Sequence, residues 1–220
     1  MIAYHNDPSI KSAILAQLET HRQADQIVKG QFWENGKGCA VGCTIHSGNF
    51  IEYEARFGIP LMLARLEDAI FEELPNHLAM GWPERFMAAI APGTDLSKVG
   101  WLFLYWLLTD EMANPGINHP AVRDVVAASA DIMRRRAAGE TVPYKETAEA
   151  QASAAEAGRS AAWLAWYALA AADFAGDGQA WAAVAWAADV HAEGVWEMYA
   201  DKLVSLIEAA HRRADWEWMP

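Results

Sequence analysis

The sequence predicts an all-α fold. Apolar side chains recur at the 3.6-residue spacing of an α-helix along most of the 220 residues. Proline, glycine and capping residues separate these stretches, as expected where helices begin and end. Alternation of polar and apolar residues, the pattern of a strand, extends over no more than about four positions. We therefore expect a multi-helix bundle in which an N-terminal helical layer packs on a long C-terminal helical hairpin.

The predicted helices are bounded by residues that favour helix ends. Ser9 is the expected N-cap of the first helix, and Pro60 occupies the first turn of the second, where its missing N–H costs nothing. Asp95 or Ser97 is expected to cap the fourth helix, and Gly139 stands where a C-terminal cap is expected. A glycine-rich loop separates the first two helices. The predicted helices cover residues 9–28, 60–74, 83–90, 97–108, 120–136, 144–175 and 178–213.

The composition changes near Thr141. This change divides the chain into an N-terminal helical region, residues 1–140, and a region rich in alanine and tryptophan, residues 141–220. Alanine is the strongest helix former, so long helices are expected in the second region. Gly176-Asp177-Gly178 separates two of them, and a connection this short predicts an antiparallel hairpin. We expect the two regions to form one compact domain.

The chain is strongly acidic, with a formal net charge of -12 and an isoelectric point of about 4.9. Proteins that bind nucleic acids through phosphates need clustered Lys and Arg, so we expect no nucleic-acid partner. The N-terminus lacks the segments of a signal peptide, and the longest apolar run, Val99 to Leu108, is too short to cross a membrane. Two cysteines without an export signal indicate reduced thiols. These features predict a soluble cytoplasmic protein.

The densest group of chemically active side chains lies between Trp33 and His46. Three glycines, both cysteines and a lysine fall within these fourteen residues. Backbone N–H groups in such a loop can form a concave anion site, and an indole offers a face for a nucleobase. The spacing matches neither a Walker A loop nor the dinucleotide-binding fingerprint. The predicted ligand-binding residues are Trp33, Gly36, Lys37, Gly38, Gly42, His46, Arg56 and Arg65.

Three other interpretations of this loop stay open. In the first, it is a structural turn in which both cysteines are small buried apolar groups. In the second, Cys39 or Cys43 is the nucleophile of an enzyme and His46 is its base. In the third, these same three residues bind a metal ion, and His77 or Glu52 completes the ligand set.

Other clusters of charge are interpreted as surface. Four carboxylates of the second predicted helix are expected to form a solvated face: Glu67, Asp68, Glu72 and Glu73. The run Arg134–Arg136 ends a predicted helix, where positive charge complements the helix dipole. Together with Arg123, this run is alternatively the lining of an anion pocket.

Two tryptophans follow the last predicted helix. Trp216 and Trp218 lie in a charged tail and are difficult to bury within one subunit. Alanine-rich helices also offer flat faces that approach one another closely. We therefore expect a homodimer in which the C-terminal region contributes to the interface.

Five segments spread along nearly the whole chain carry a resemblance to other proteins. They are residues 36–46 (GKGCAVGCTIH), 53–60 (YEARFGIP), 63–72 (LARLEDAIFE), Trp82-Pro83 and 200–207 (ADKLVSLI). Through them the chain resembles a family of proteins from phages, prophages and proteobacteria to which no activity is assigned. The resemblance implies a phage-borne accessory protein in a bacterial host, and small proteins of this kind often blunt host defence.

We expect the protein to bind a small anionic, nucleotide-derived ligand without catalysis and without a cofactor. Sequestration of a host immune signal is the corresponding biological role. The alternatives are a cysteine- or metal-dependent enzyme that acts on a nucleotide-like substrate, and a structural or protein-binding phage component.

Overall fold

α-Helices make up most of the regular structure, so the predicted fold class is confirmed. A computed structural model describes residues 1–114, 117–157, 165, 167–170 and 194–212. The sheet found in these ranges is a hairpin of two short strands, Trp33–Glu34 (β1) and Lys37–Gly38 (β2). The principal helices are Pro8–Gln23 (α1), Ala40–Ile45 (α2), Glu52–Phe57 (α3), Leu61–Glu73 (α4), Asn76–Ala79 (α5), Trp82–Ala89 (α6), Val99–Thr109 (α7), Arg123–Ala137 (α8), Tyr144–Ala157 (α9) and Val195–Arg212 (α10).

Helix α1 begins and ends earlier than the sequence predicts. Its N-cap is Asp7 rather than Ser9, because the Asp7 carboxylate accepts a hydrogen bond from the N–H of Ser9 (2.8 Å). The helix stops before residue 28 because the chain there pairs with a different segment. The N–H of Val28 donates to the carbonyl of Gly38, and the N–H of Gly38 donates to the carbonyl of Gln26.

The glycine-rich loop contains a hairpin and a short helix that helical spacing did not predict. Asn35 and Gly36 have φ angles of 52° and 78°, the combination that a two-residue type I′ turn requires. Helices α2 and α3, of six residues each, are too short to show a helical period in the sequence. The residues paired across the hairpin are Trp33 with Gly38 and Glu34 with Lys37.

Two predicted helix starts need correction. Pro60 is the N-cap of α4 rather than a residue of its first turn. Helix α7 has Lys98 as its N-cap, not Asp95 or Ser97, and the Lys98 side chain makes no capping hydrogen bond. These differences of one to three positions do not change which face of either helix is buried.

The predicted C-terminal cap of α8 is confirmed. Gly139 has a φ of 85°, and its N–H donates to the carbonyl of Arg136 (3.0 Å). A residue with a side chain is strained in this left-handed conformation, so glycine ends the helix here. The helix begins at Arg123 rather than at the predicted Pro120.

Much of the predicted C-terminal hairpin lies outside the described residues. The structure describes α9 and α10, which lie within the predicted helices 144–175 and 178–213. The predicted turn at residues 176–178 and the tail tryptophans Trp216 and Trp218 fall outside these ranges. The antiparallel hairpin and the homodimer therefore stay predictions.

The chain divides into two units by its internal contacts. The first contains residues 1–96 and α10 from Val204 onward, and the second contains the described residues from Ser97 to Leu203. In the first unit, α1 packs against α2 and α6, and α2 packs against α4. In the second unit, α8 packs against both α7 and α9. Residue 141, where the composition changes, lies inside the second unit.

A search of the described helices for a membrane-spanning segment finds none of sufficient length and apolarity.

One predicted surface carboxylate is at the centre of the first unit. Glu67 of α4 is fully buried, so its placement on a solvated face was wrong. The Tyr53 hydroxyl donates to its Oε2 (2.7 Å), whereas Oε1 has no hydrogen-bond partner. Burial raises the pKa of Glu67 well above its usual value, and the neighbouring Asp68 adds to this effect. Burial therefore favours the neutral acid form of Glu67 in the folded protein.

We expect the substitution Glu67→Gln to weaken the pH dependence of stability. Because the pKa is higher in the folded state, the unfolded chain releases this proton first as pH rises. The free energy of unfolding then falls by up to about 1.4 kcal/mol per pH unit between the two pKa values. An amide cannot ionise, so urea unfolding of the variant should show a flatter profile from mildly acidic to mildly alkaline pH.

The matched control for this prediction is Glu73→Gln, which changes an exposed glutamate of the same helix. It should leave the pH profile of the natural chain unchanged. Parallel profiles for Glu67→Gln and the natural chain would contradict the assignment of a neutral buried acid.

Candidate functional site

The glycines of the loop permit close packing of backbone on backbone. A Cβ atom at Gly42 would lie 1.4 Å from the carbonyl oxygen of Phe32, and one at Gly38 would lie 2.0 Å from the same oxygen. Neither position can hold a side chain without movement of the backbone. Phe32, the residue before β1, therefore lies directly against the first turn of α2, and this contact sets the shape of the loop.

The phosphate cradle predicted from these glycines is not supported by their hydrogen bonds. The Gly38 N–H donates to the carbonyl of Gln26 (3.0 Å), and the Gly42 N–H donates to Sγ of Cys39 (3.4 Å). The Cys39 N–H donates to the carbonyl of Gln31 (2.6 Å). These donors are used inside the loop, so they do not form an open anion site.

Two histidines meet beside this loop. Nε2 of His21, at the end of α1, lies 2.8 Å from Nε2 of His46, which follows α2. The ring centroids are 5.0 Å apart. This is about the sum of the nitrogen–nitrogen distance and the distance from each nitrogen to its own ring centre, so the two rings lie nearly end to end. The imidazoles therefore point nitrogen to nitrogen, as in an N–H···N hydrogen bond. A metal ion bound by both nitrogens would instead need the rings to converge at an angle.

Gln26 fixes which nitrogen carries each proton. Its Oε1 lies 2.6 Å from Nδ1 of His21, and a carbonyl oxygen only accepts hydrogen bonds. Nδ1 of His21 is therefore the donor, and Nε2 of the neutral ring is an acceptor. His46 must then donate from its Nε2. We call these two side chains the imidazole pair.

Trp33 packs on the imidazole pair. Its ring stacks on His46 with centroids 4.4 Å apart and an interplanar angle of 22°. The His21 ring contacts the indole edge-on, with ring centroids 5.5 Å apart. One face of Trp33 is thus covered by His46, and the predicted nucleobase could stack only on the opposite face.

His46 has a strained backbone and an exposed side chain. Its φ of 56° is in the left-handed region, at the C-cap of α2, a position that glycine usually occupies. Such strain persists where the surrounding contacts hold the residue in place, and it is frequent at functional sites. Partial burial lowers the pKa of His46, and the nearby His21 and Arg56 lower it further.

The predicted arginines occupy different surroundings. Arg56 is exposed, donates to the carbonyl of Ile45 (2.8 Å) and lies 3.6 Å from a carboxylate oxygen of Glu52. Arg65 is stacked over the ring of Phe50 at 3.7 Å, and its buried Nε has no hydrogen-bond partner. Trp33, His46 and Arg56 therefore belong to one site, whereas Arg65 is a packing residue of α4. Lys37 is exposed on β2.

Both cysteines are buried thiols. Sγ of Cys43 donates to the carbonyl of Gly38 (3.3 Å), and burial raises the pKa of Cys43 to about 11. Burial also raises the pKa of Cys39, with a contribution from the nearby Asp68. A cysteine nucleophile needs a lowered pKa, so this geometry speaks against the cysteine-dependent enzyme. His46, its predicted base, is bonded to His21 instead.

The structure groups Cys39 with carboxylates that the sequence placed on a solvated face. Ligand atoms of Cys39, Asp68 and Glu72 lie within 4.8 Å of one another. Asp68 and Glu72 are four positions apart on α4 and are partly buried. The Glu72 carboxylate accepts hydrogen bonds from the N–H of Gly30 (2.9 and 3.1 Å). Burial raises the pKa of Cys39, Asp68 and Glu72, so protonation relieves part of the repulsion between them.

The other predicted metal ligands lie elsewhere. Glu52 forms the ion pair with Arg56 described above. His77 lines a cleft of about 750 Å³ in the first unit, together with the ion pair of Arg22 and Glu84. The predicted set of Cys39, Cys43 and His46 with one of these residues is not among the candidate metal-binding groups of the described chain.

The arginines at the end of α8 bind carboxylates of their own unit. Arg135 pairs with Glu140 (3.2 Å) and with Glu146, while Arg134 pairs with Asp131 (2.6 Å). Arg136 donates to the carbonyl of Val142 (3.2 Å). These contacts favour the surface interpretation of the arginine run over an anion pocket.

Sequence reasoning missed two residues of the site, His21 and Gln26. A signal for His21 exists: Ile14, Leu18 and His21 follow one buried stripe of α1, so a histidine occupies an apolar position. Gln26 gave no signal, because its role depends on where the chain turns after α1.

Comparison of the chain with protein-family models, curated proteins and solved structures finds no match. Its function must be inferred from the site itself.

We expect Gly42→Ala to destabilise the protein by at least about 2 kcal/mol, because a Cβ cannot fit against the carbonyl of Phe32. The matched control is Gly81→Ala, where the nearest atom to a Cβ lies 3.9 Å away. It should change the free energy of unfolding by less than about 1 kcal/mol. Equal effects in urea unfolding would show that close packing is not what Gly42 provides.

We also expect both cysteines to react slowly with iodoacetamide in the native protein at neutral pH. Burial and raised pKa values keep Cys39 and Cys43 as thiols, and the thiolate is the reactive form. The same protein unfolded in urea is the control and should label at both positions within minutes. Fast labelling of either cysteine in the native state would restore the enzyme alternative.

Proposed function

We propose that the protein binds a small ligand through an anionic group at the imidazole pair and releases it unaltered. The observation that carries this proposal is the exposed His46, which contacts His21 and Trp33. The guanidinium of Arg56 donates to the carbonyl of Ile45, the residue before His46. Fixed orientation of a recognition group reduces the entropy lost on binding.

The charges around the pair favour an anion. Arg56 is permanently charged, and the free Nδ1 of His46 becomes a hydrogen-bond donor when the imidazole takes up a proton. In a chain with a net charge of -12, a local site of this kind attracts negative groups that the rest of the surface repels. Lys37 on the hairpin offers a further positive charge at the surface.

Binding without catalysis fits the site better than an enzyme does. The buried thiols of Cys39 and Cys43 are poor nucleophiles. Nε2 of His46 is engaged by His21, so only the opposite nitrogen is available to a ligand.

The ligand class we propose is nucleotide-derived. Phosphate supplies the anionic group, and Trp33 next to His46 supplies an aromatic surface for a base. The resemblance to phage and prophage proteins makes host signalling nucleotides the first compounds to test. Sequestration of such a signal, as a counter-defence sponge, is the corresponding role.

The test is a thermal-shift and calorimetry screen of cyclic dinucleotides, ADP-ribose derivatives and inorganic phosphate. A ligand at 100 times its Kd should stabilise the fold by about 2.7 kcal/mol. His46→Gln and Arg56→Gln should each weaken binding at least tenfold, about 1.4 kcal/mol. The matched controls are His77→Gln and Arg123→Gln, which change an exposed histidine and an exposed arginine elsewhere.

The outcomes of this screen are distinct. Heating the complex should return the bound compound chemically intact, as judged by mass spectrometry. Absence of any shift, or binding that is unaffected by both His46→Gln and Arg56→Gln, would overturn the proposal. A chemically altered product would identify an enzyme instead.

A further inference from the structure

We infer that binding of an anion at this site is coupled to the uptake of one proton by the imidazole pair, at Nδ1 of His46. This inference rests on the proposed function and describes its regulation. The pair would make the affinity of the protein for its ligand depend on pH within the physiological range.

The hydrogen bonds of the pair leave one place for an added proton. His21 donates from Nδ1 to Gln26 and accepts at Nε2 from His46. Three of the four ring nitrogens are therefore used in the neutral pair. The fourth, Nδ1 of His46, belongs to an exposed side chain. A proton can be added there without breaking either existing hydrogen bond.

Two of the groups around His46 oppose its protonation when no anion is present, His21 of α1 and Arg56 of α3. Trp33 of β1 stacks on the same ring and is uncharged. Partial burial, His21 and Arg56 all lower the pKa of His46. Glu52 lies against Arg56 and offsets part of its charge. Glu34 and Lys37 face each other across the hairpin.

An anion between His46 and Arg56 reverses this balance. It attracts the protonated imidazole and screens the repulsion from the guanidinium, so the bound state holds the proton more tightly than the free state. Linkage then requires that anion binding takes up protons and weakens as pH rises. Between the pKa values of His46 in the free and bound states, the Kd should rise about tenfold per pH unit.

Inorganic sulfate is a suitable probe because it does not titrate in the range where histidine does. Sulfate binding should be measured by calorimetry in two buffers of different ionisation enthalpy, at about pH 7.5 and at lower pH values. The difference between buffers gives the number of protons taken up. We expect a value approaching one per sulfate between the pKa values of free and bound His46, falling towards zero at acidic pH.

The variant Gln26→Glu tests the role of the pair with little change in shape. A carboxylate at Nδ1 of His21 favours a charged pair before any anion binds. Proton uptake at about pH 7.5 should then fall by at least half while sulfate still binds. The matched control is Gln23→Glu, which adds the same charge at an exposed residue of α1 and should retain the uptake of the natural chain.

The outcomes distinguish failure of the proton coupling from failure of the proposed function. Sulfate binding with no proton uptake and a Kd independent of pH would overturn the coupling and leave the proposed function standing. Unchanged uptake in Gln26→Glu would overturn the assignment of that proton to the imidazole pair. Absence of sulfate binding at every pH would overturn both the coupling and the proposed anion site.

Discussion

The carbonyl of Phe32 lies against two α-carbons that carry no side chain, Gly38 and Gly42, and the site depends on this contact. It brings the hairpin and α2 closer together than any other residues would allow. Trp33 follows Phe32 directly, and His46 follows α2, so the same contact places the indole and the imidazole in a stack. The glycines thus position the two aromatic rings, and their N–H groups are not arranged to hold phosphate.

Gln26 connects this scaffold to the chemistry of the site. Its backbone carbonyl accepts a hydrogen bond from the N–H of Gly38 and lies 3.5 Å from Sγ of Cys43. Its side chain accepts from His21 and so sets the proton positions of the imidazole pair. Gln26 therefore both anchors the loop and sets the tautomers of the two histidines. The imidazole pair is for this reason sensitive to any movement of the segment after α1.

The sequence predicted the longer helices well, because α1, α4 and α8 repeat apolar residues over three or more turns. Helices α2 and α3 are too short for a period to emerge. Asn35-Gly36, a strong hairpin signal, lies in a stretch for which a ligand loop and a structural turn were both left open. The burial of Glu67 had a signal in the sequence, because Glu67 lies four residues after Leu63 and three before Ile70 on the apolar stripe of α4. Its partner, the Tyr53 hydroxyl, comes from another helix and was not predictable. Of the site, His46 and Trp33 were found by composition, whereas the pairing of His21 with His46 required the fold.

The central claim is that the loop builds a hydrogen-bonded imidazole pair with fixed proton positions. Long-range ¹H–¹⁵N correlation spectra of the histidine rings test it directly in the ligand-free protein at neutral pH. The account predicts a neutral Nδ1–H ring for His21 and a neutral Nε2–H ring for His46, the only combination that satisfies Gln26 and the nitrogen contact together. Spectra in which both rings carry their proton on Nε2 would contradict it.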